Sequence, residues 1–175
     1  MTTSTDLWVF AYGSLLWNPG IAVAESRPAT LTGFRRRFCM WSIHHRGTED
    51  DPGLVLALEP APGATCHGLA LRAADPGPAL AALRERELVS SAYIEHRLPL
   101  STPDGAVEAL AYVVDTAHVQ YAADLTLEAQ ATVIAGAEGG RGPNDEYLYH
   151  TARALTENGI ADADMDRLVA LVRAA

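Results

Sequence analysis

Residues 7–17 read LWVFAYGSLLW, an apolar run that is interrupted by a Gly13-Ser14 pair before a second apolar stretch. The first six residues predict a buried strand, and the Gly-Ser pair predicts a tight turn directly after it. Glycine permits such a turn and lets a ligand approach the backbone. Backbone N–H groups that point out of the turn can hold a carboxylate or an oxyanion. The pattern taken alone favours an ordinary strand-end turn, so both interpretations stay open at this point.

Further strands are predicted after this turn, from stretches rich in apolar, aromatic and β-branched residues. They cover residues 29–42 with a bend at Gly33, 54–58, 65–71, 93–100 and 107–114. Residues 45–52 are polar and predict a loop, whereas residues 60–63 and 103–105 have the composition of turns.

Helices dominate the last third of the predicted structure, and one helix is predicted among the strands. The predicted helices are residues 79–89, 125–137, 145–157 and 161–173. A break at residues 75–78 precedes the first helix, a Gly-rich loop at residues 136–144 joins two later ones, and Asn158-Gly159 predicts a helix end. Strands and helices do not alternate regularly, so we expect a single α+β domain over residues 1–175, with a mixed or barrel-like sheet and flanking helices.

Composition narrows the possible functions. A length of 175 residues with 49% hydrophobic residues is enough for one core. The formal net charge of -9 disfavours nucleic acid as a partner, because phosphate binding needs clustered cations. No segment approaches the ~20 apolar residues of a membrane span, and residues 1–6 lack the pattern of a secretory signal. We therefore expect a cytoplasmic protein without a membrane partner, in which Cys39 and Cys66 are free thiols.

Glu87 is the candidate for acid–base chemistry within the sequence Arg84-Glu85-Arg86-Glu87-Leu88. Helical spacing places it on the side of Leu80, Leu83 and Leu88, whereas Glu85 points to an outer, charged face. A carboxylate beside an apolar face is expected to have a raised pKa, which suits a general base near neutral pH. The alternative is a surface ladder of Arg and Glu side chains, and the spacing alone favours that alternative.

Other reactive residues give weaker signals. Cys66 and His67 are adjacent and would point to opposite faces of a strand, which argues against a thiol dyad. The six histidines lack the spacing of a metal site, so no metal is expected. Residues 35–37 are all arginines, but alternation along a strand splits them between two faces. We expect them to pair with acidic residues rather than to form one anion site.

Taken together, these pieces resemble the ChaC family of glutathione-specific γ-glutamylcyclotransferases. The resemblance rests on five blocks in the family's order, and no block is decisive alone. The blocks are residues 9–17 (VFAYGSLLW), 33–38 with 45–48, 52–60, Arg86-Glu87 followed by Tyr93, and 139–148. Ala11 stands where the family usually has glycine, and its added methyl group is expected to narrow the site or to alter substrate preference.

The resemblance implies a γ-glutamylcyclotransferase-like fold with a partly closed sheet. It also implies that glutathione is converted to 5-oxoproline and Cys-Gly without a cofactor. It assigns the general base to Glu87 and substrate binding to Val9, Phe10, Ala11, Tyr12, Gly13, Ser14 and Leu15. Tyr93 and Tyr147 are further candidates for the pocket, and each is equally well explained as a packing aromatic. Two alternatives stay open: a cyclotransferase for other γ-glutamyl amino acids or amines, and a non-catalytic binding module on the same fold.

Overall fold

The computed structural model describes residues 6–88 and 91–175. The predicted helical residue Val89 and all but the last residue of the predicted polar N-terminal segment lie outside these ranges. The chain forms two compact units, the first made of residues up to 36 and 58–115, the second of residues 37–57 and 116–175. The expectation of a single domain stays a prediction.

A closed barrel with the strand order β1-β3-β2-β4-β5 organises the sheet. The strands are β1 (Trp8–Ala11), β2 (Val23–Ser42), β3 (Gly53–Ala73), β4 (Tyr93–Thr102) and β5 (Gly105–Val114). Val9 of β1 lies opposite Leu71 of the antiparallel β3 and opposite Leu110 of the parallel β5. The sheet therefore contains both kinds of pairing and joins its edges, which confirms the predicted mixed, closed type of sheet.

Strand β3 corrects the prediction of two strands separated by a turn at residues 60–63, because it runs without interruption from Gly53 to Ala73. Proline has no N–H, so it fits a strand only where that group would have no ladder partner. Pro60 and Pro62 are both exposed, and the backbone of Gly63 has φ +82°, a conformation that favours glycine. The turn-like residues are thus accommodated as a local irregularity within one long strand.

Strand β2 begins at Val23, earlier than the predicted start at Ala29. Its first residues were not recognised because they are polar and poor in β-branched side chains. Arg27 Nε lies 2.6 Å from Glu25 Oε2, and the Arg27 guanidinium lies 4.6 Å from the centre of the Trp8 ring. Glu25 and Arg27 are partly exposed and pair with each other, so polar contacts and not an apolar pattern mark this end of the strand.

The core of the first unit joins the sheet to helix α1 (Pro76–Glu87). Leu83 is fully buried, in the same cluster as Tyr112 of β5 and Ala11 of β1. The predicted break before the helix is in fact its beginning, because Pro76 occupies the first turn. Proline is well tolerated there, since its missing N–H would have no helical partner.

The second unit contains three helices in the part of it that the structure describes: α2 (Leu127–Gly136), α3 (Asn144–Glu157) and α4 (Ala163–Ala174). Helix α3 ends at the predicted stop, where Gly159 has φ +69°. The predicted Gly-rich loop instead contains a small hairpin of β6 (Glu138–Gly139) and β7 (Gly142–Pro143). Such two-residue strands carry no periodicity from which a sequence pattern could reveal them. Over the described residues, the helices are too short or too polar to cross a membrane.

Candidate active site

The predicted cradle is the segment from Val9 to Leu15, which lies in the first unit. Strand β1 ends at Ala11, and residues 14–16 form one turn of 3₁₀-helix, with the N–H of Leu16 donating to Gly13 O at 2.9 Å. The first N–H groups of such a turn lack partners within the helix. Ser14 is partly exposed, whereas the other six residues of the segment are buried. The segment can therefore offer a ligand its backbone and the Ser14 hydroxyl.

Contacts from neighbouring strands hold the cradle in place. The Tyr12 hydroxyl donates to the Tyr112 carbonyl oxygen at 3.4 Å. Arg36 Nη1 donates to the Tyr12 carbonyl oxygen at 2.5 Å, and Arg36 Nη2 donates to that of His67. A side chain at Gly68 would collide with the carbonyl oxygen of Ala11, so the strands approach each other closely there. The segment is thus fixed by the Tyr12 hydroxyl, by the Arg36 side chain and by the close approach of β3 to Ala11.

Ala11, the departure from the family pattern, is completely buried in the core cluster that also contains Leu15 and Leu83. Its methyl group fills apolar space in this cluster. The expected effect of Ala11 on substrate preference stays a prediction, and any such effect has to act through the packing behind the cradle.

Glu87 is the last residue of α1, and its side chain is 14% exposed. Leu83, one turn earlier on the same face, is fully buried, whereas Glu85 is exposed. Both observations agree with the predicted helix faces. The prediction for Leu88 was wrong: its side chain is 37% exposed, because the helix ends at Glu87 and the helical periodicity stops there.

Arg86 connects the predicted base to the predicted cradle. Its Nε lies 3.5 Å from Glu87 Oε1, and its Nη2 donates to Ser14 Oγ at 2.9 Å. Its Nη1 donates to the carbonyl oxygen of Asn18, just after the cradle. The predicted general base and Ser14 therefore both contact one guanidinium group. The sequence placed Arg86 next to Glu87 but gave it no role, because its partners lie about seventy residues away in the chain.

A second carboxylate, Glu95 of β4, was missed by the sequence reasoning. It accepts two hydrogen bonds from Arg84, Nε to Oε1 at 3.1 Å and Nη2 to Oε2 at 3.0 Å. The Tyr112 hydroxyl also donates to Glu95 Oε1, at 3.0 Å. The predicted hairpin turn contained a usable signal, because a turn at residues 103–105 places Glu95 opposite Tyr112.

The pKa of Tyr112 depends on both carboxylates, Glu95 and Glu87. Burial raises the pKa of Tyr112 above its ordinary value of 10.0, and the charges of Glu95 and Glu87 raise it further. The hydrogen bonds from Arg84 lower the pKa of Glu95, and the bond from Tyr112 acts in the same direction. Glu95 is therefore ionised and Tyr112 is neutral near pH 7.

The two aromatic candidates have different surroundings. Tyr93 packs at the edge of the core cluster in the first unit, which contains the cradle. Tyr147 belongs to the second unit, where its ring meets that of Phe38 edge-on at 5.9 Å. Its hydroxyl accepts a hydrogen bond from Leu56 N at 3.2 Å. These contacts give Tyr147 a packing role, and its role as a pocket residue stays a prediction.

The arginine run has an acidic partner at Arg35 and carbonyl partners at its other two residues. Arg35 Nη2 lies 2.9 Å from Glu59 Oε1, as expected. Arg36 and Arg37 donate to carbonyl oxygens, including that of Ala122 at 2.9 Å from Arg37 Nη2. Backbone carbonyl oxygens accept hydrogen bonds, so they can satisfy the N–H groups of a guanidinium.

The remaining candidates for reactive chemistry are the two cysteines, His67 and possible metal ligands. Cys66 is buried and His67 is exposed, so the two side chains lie on opposite faces as predicted. The ring nitrogen Nδ1 of His67 lies 3.2 Å from Thr30 Oγ1. Cys39 and Cys66 are both free thiols. Over residues 6–88 and 91–175, no three His, Cys, Asp or Glu side chains cluster as a metal site would require.

Comparison with known proteins assigns the chain to one family. A family model for ChaC-like proteins matches residues 7–175. The chain belongs to the ChaC-like family. The curated relatives of this ChaC-like chain include the glutathione-specific γ-glutamylcyclotransferase of Escherichia coli, which is 34% identical over 95% of this chain and 73% of the relative. The human glutathione-specific γ-glutamylcyclotransferase 1 is 36% identical over 96% of this chain and 78% of the relative.

Solved structures support the same fold. The crystal structure of a yeast γ-glutamyl cyclotransferase specific to glutathione superposes with a TM-score of 0.88, at 22% identity, over 98% of this chain and 97% of the yeast chain. The α+β fold of the γ-glutamylcyclotransferases that the sequence resemblance implied is therefore confirmed.

Proposed function

We propose that this protein is an enzyme that cleaves glutathione to 5-oxoproline and Cys-Gly. Its membership of the ChaC-like family supports this proposal, as do the names of the two curated relatives, which specify glutathione. The single structural observation that carries the proposal is the Arg86 bridge, which brings the Glu87 carboxylate and Ser14 of the cradle to one place.

The reaction needs the γ-glutamyl group to fold back on itself. Its α-amino nitrogen then attacks its own γ-carbonyl carbon, and a five-membered ring closes. Holding these two groups together converts a rare encounter into a bound geometry, which is a large part of the catalytic effect. A rigid cradle suits this task, and the segment from Tyr12 to Ser14 is held by Arg36 and Arg86.

Glu87 is proposed to move the proton. It takes one proton from the α-ammonium group of the substrate, which cannot attack while it is protonated. The new C–N bond forms and the old amide C–N bond breaks. Glu87 returns the first proton to the departing amine of Cys-Gly, and the second proton, which the ring nitrogen loses on becoming an amide, completes the ammonium group of that amine. A single carboxylate can serve both steps. Its partial burial restricts access of water, and the neighbouring Arg86 orients one of its oxygens.

The cradle is proposed to bind the substrate through backbone N–H groups around Gly13, Ser14 and Leu15, because most side chains of the segment are buried. Donors at this position suit either the substrate's carboxylate or the oxyanion that forms on the γ-carbonyl oxygen. Tyr93, at the edge of the same core, is proposed to line the pocket.

The test is a direct assay of the products. The purified protein is incubated with glutathione or with γ-glutamyl-alanine, and 5-oxoproline is measured by mass spectrometry. We expect release from glutathione, with equal amounts of Cys-Gly. Release from γ-glutamyl-alanine alone would favour the alternative, a cyclotransferase for other γ-glutamyl amino acids or amines. A binding module would instead raise the melting temperature in the presence of glutathione without forming product.

A cytoplasmic location is part of the proposal. It is supported by the two free cysteines, Cys39 and Cys66, which suit a reducing compartment. Fractionation of cells that express the chain tests it, and recovery in an oxidising compartment would contradict it.

A further inference from the structure

Helix α1 is tied to the sheet by a chain of polar contacts that the proposed mechanism does not use. Arg84, in the last turn of α1, holds Glu95 of β4 through two hydrogen bonds of 3.0 and 3.1 Å. Glu95 in turn accepts the hydroxyl proton of Tyr112 in β5. Three elements of the first unit therefore meet at one carboxylate.

This attachment lies next to the proposed base. Arg84 precedes Glu87 by three residues, so both side chains leave the same turn of the helix. Leu83, the residue before Arg84, packs in the core cluster with Tyr112. After Glu87 the helix ends and Leu88 is exposed. The orientation of the final turn of α1 thus depends on its contacts with other elements. The hydrogen bonds between Arg84 and Glu95 attach this turn to the sheet.

Glu95 also fixes the direction of the tyrosine hydroxyl. An ionised carboxylate can only accept hydrogen bonds, so the single proton of the Tyr112 hydroxyl has to point toward Glu95. The tyrosine oxygen then offers only lone pairs in other directions. The hydroxyl lies beside the last turn of α1, because Glu95 binds both the hydroxyl and Arg84 of that turn. The charge of Glu87, in the same turn, raises the pKa of Tyr112.

We propose that Glu95 is a positioning residue for Glu87: it fixes the last turn of α1 through Arg84 and turns the Tyr112 proton away from the base. This inference rests on the proposed function, because it assigns Glu95 a part in the same reaction. A Glu87 carboxylate that gains no hydrogen bond from Tyr112 keeps a higher affinity for the substrate proton.

The charges that bear on this site come from several elements. Arg84 and Arg86 extend from α1, and Arg97 of β4 acts on Glu95. Removing the negative charge of Glu95 leaves these cations less compensated and removes a like charge near Glu87. Both changes make Glu87 easier to ionise and therefore a weaker base.

The experiment compares Glu95→Gln, Glu95→Asp and the control Glu108→Gln, which changes an exposed carboxylate on β5. For each variant, kcat, KM and the pH dependence of kcat/KM are measured with glutathione, together with the melting temperature. For Glu95→Gln we expect kcat to fall about 10- to 100-fold, the scale of a misplaced catalytic group. KM should stay within about threefold of the unmodified value. The acidic limb of the pH profile of kcat/KM should move to lower pH by roughly one unit.

Glu95→Asp keeps the charge, so its acidic limb should return to the position found for the unmodified protein, with part of kcat restored. Glu108→Gln should match the unmodified protein. An active protein in which Glu95→Gln leaves the acidic limb in place, whatever happens to its melting temperature, overturns the positioning role alone. An unmodified protein that forms no 5-oxoproline overturns the proposed function, and this inference with it.

Should Glu95→Gln fail to fold, Arg84→Met provides the second test, because it removes the contact between α1 and Glu95 and keeps the hydrogen bond between Tyr112 and Glu95. We expect a lower kcat with KM within about threefold of the unmodified value. An unchanged kcat in this variant overturns the role of the contact between Arg84 and Glu95 and with it the proposal.

Discussion

The substitution Asn144→Ala tests the structural role of the late sequence block that resembles the ChaC family. Asn144 is fully buried at the start of α3. Its side-chain oxygen accepts from Leu54 N at 2.8 Å, and its side-chain nitrogen donates to Leu54 O at 2.8 Å. Removing the side chain leaves one buried donor and one buried acceptor without these partners. Each such loss costs about 1–3 kcal/mol.

The expected decrease in the free energy of unfolding is therefore about 2–6 kcal/mol, a large share of the roughly 5–15 kcal/mol of a typical domain. Urea unfolding monitored by circular dichroism measures it, and the midpoint should fall while the slope m is retained.

Asn158→Ala is the matched control. The Asn158 side chain also donates to a backbone carbonyl, that of Ala154 at 2.8 Å, but this residue is exposed. Water can replace its hydrogen bond, so the control should stay within about 0.5 kcal/mol of the unmodified protein. A loss below about 1 kcal/mol for Asn144→Ala would refute the reasoning that this buried amide holds the start of β3 in place.

Three further substitutions test other parts of the account. Tyr147→Phe removes the hydrogen bond from Leu56 N and should cost about 1 kcal/mol of unfolding free energy, whereas a KM for glutathione that rises more than about threefold would place the hydroxyl in the pocket. Arg86→Met removes the bridge to Ser14 and should lower kcat/KM by about 10- to 100-fold, and steady-state kinetics that match the unmodified protein would contradict this. The stabilisation from Glu95 should be fully present above pH 4.5, the usual pKa of the group, and should be lost as pH falls through its lower folded-state pKa. Urea titrations of the unmodified protein and Glu95→Gln at several pH values should show their difference shrinking with acid, and a difference that grows would have the wrong sign.

The local features of this fold were predictable because they depend on neighbouring residues. The apolar run that ends at Gly13-Ser14 became a strand followed by a turn, and Asn158-Gly159 ended a helix. The partial burial of Glu87 followed from its spacing to Leu83. The resemblance to the family supplied what these patterns lacked, namely that the separate pieces form one kind of fold.

The features that were missed depend on partners distant in the chain. Pro60 and Pro62 have the composition of a turn, and only the pairing of β3 with other strands reveals that they lie within a strand. The register of the β4–β5 hairpin could have paired Glu95 with Tyr112. The hydrogen bonds from Arg84 to Glu95 could not be predicted in that way, because their prediction requires knowing how α1 lies against the sheet.

The most direct test of the central claim is the turnover of glutathione by Glu87→Gln, compared with Glu85→Gln as a control. Glu85 is an exposed carboxylate on the same helix, two residues earlier. The account predicts that Glu87→Gln still binds glutathione but forms 5-oxoproline at least ~100-fold more slowly, the scale of general-base loss, while Glu85→Gln keeps full activity. A Glu87→Gln variant that turns over glutathione at close to the unmodified rate would contradict the assignment of Glu87 as the base.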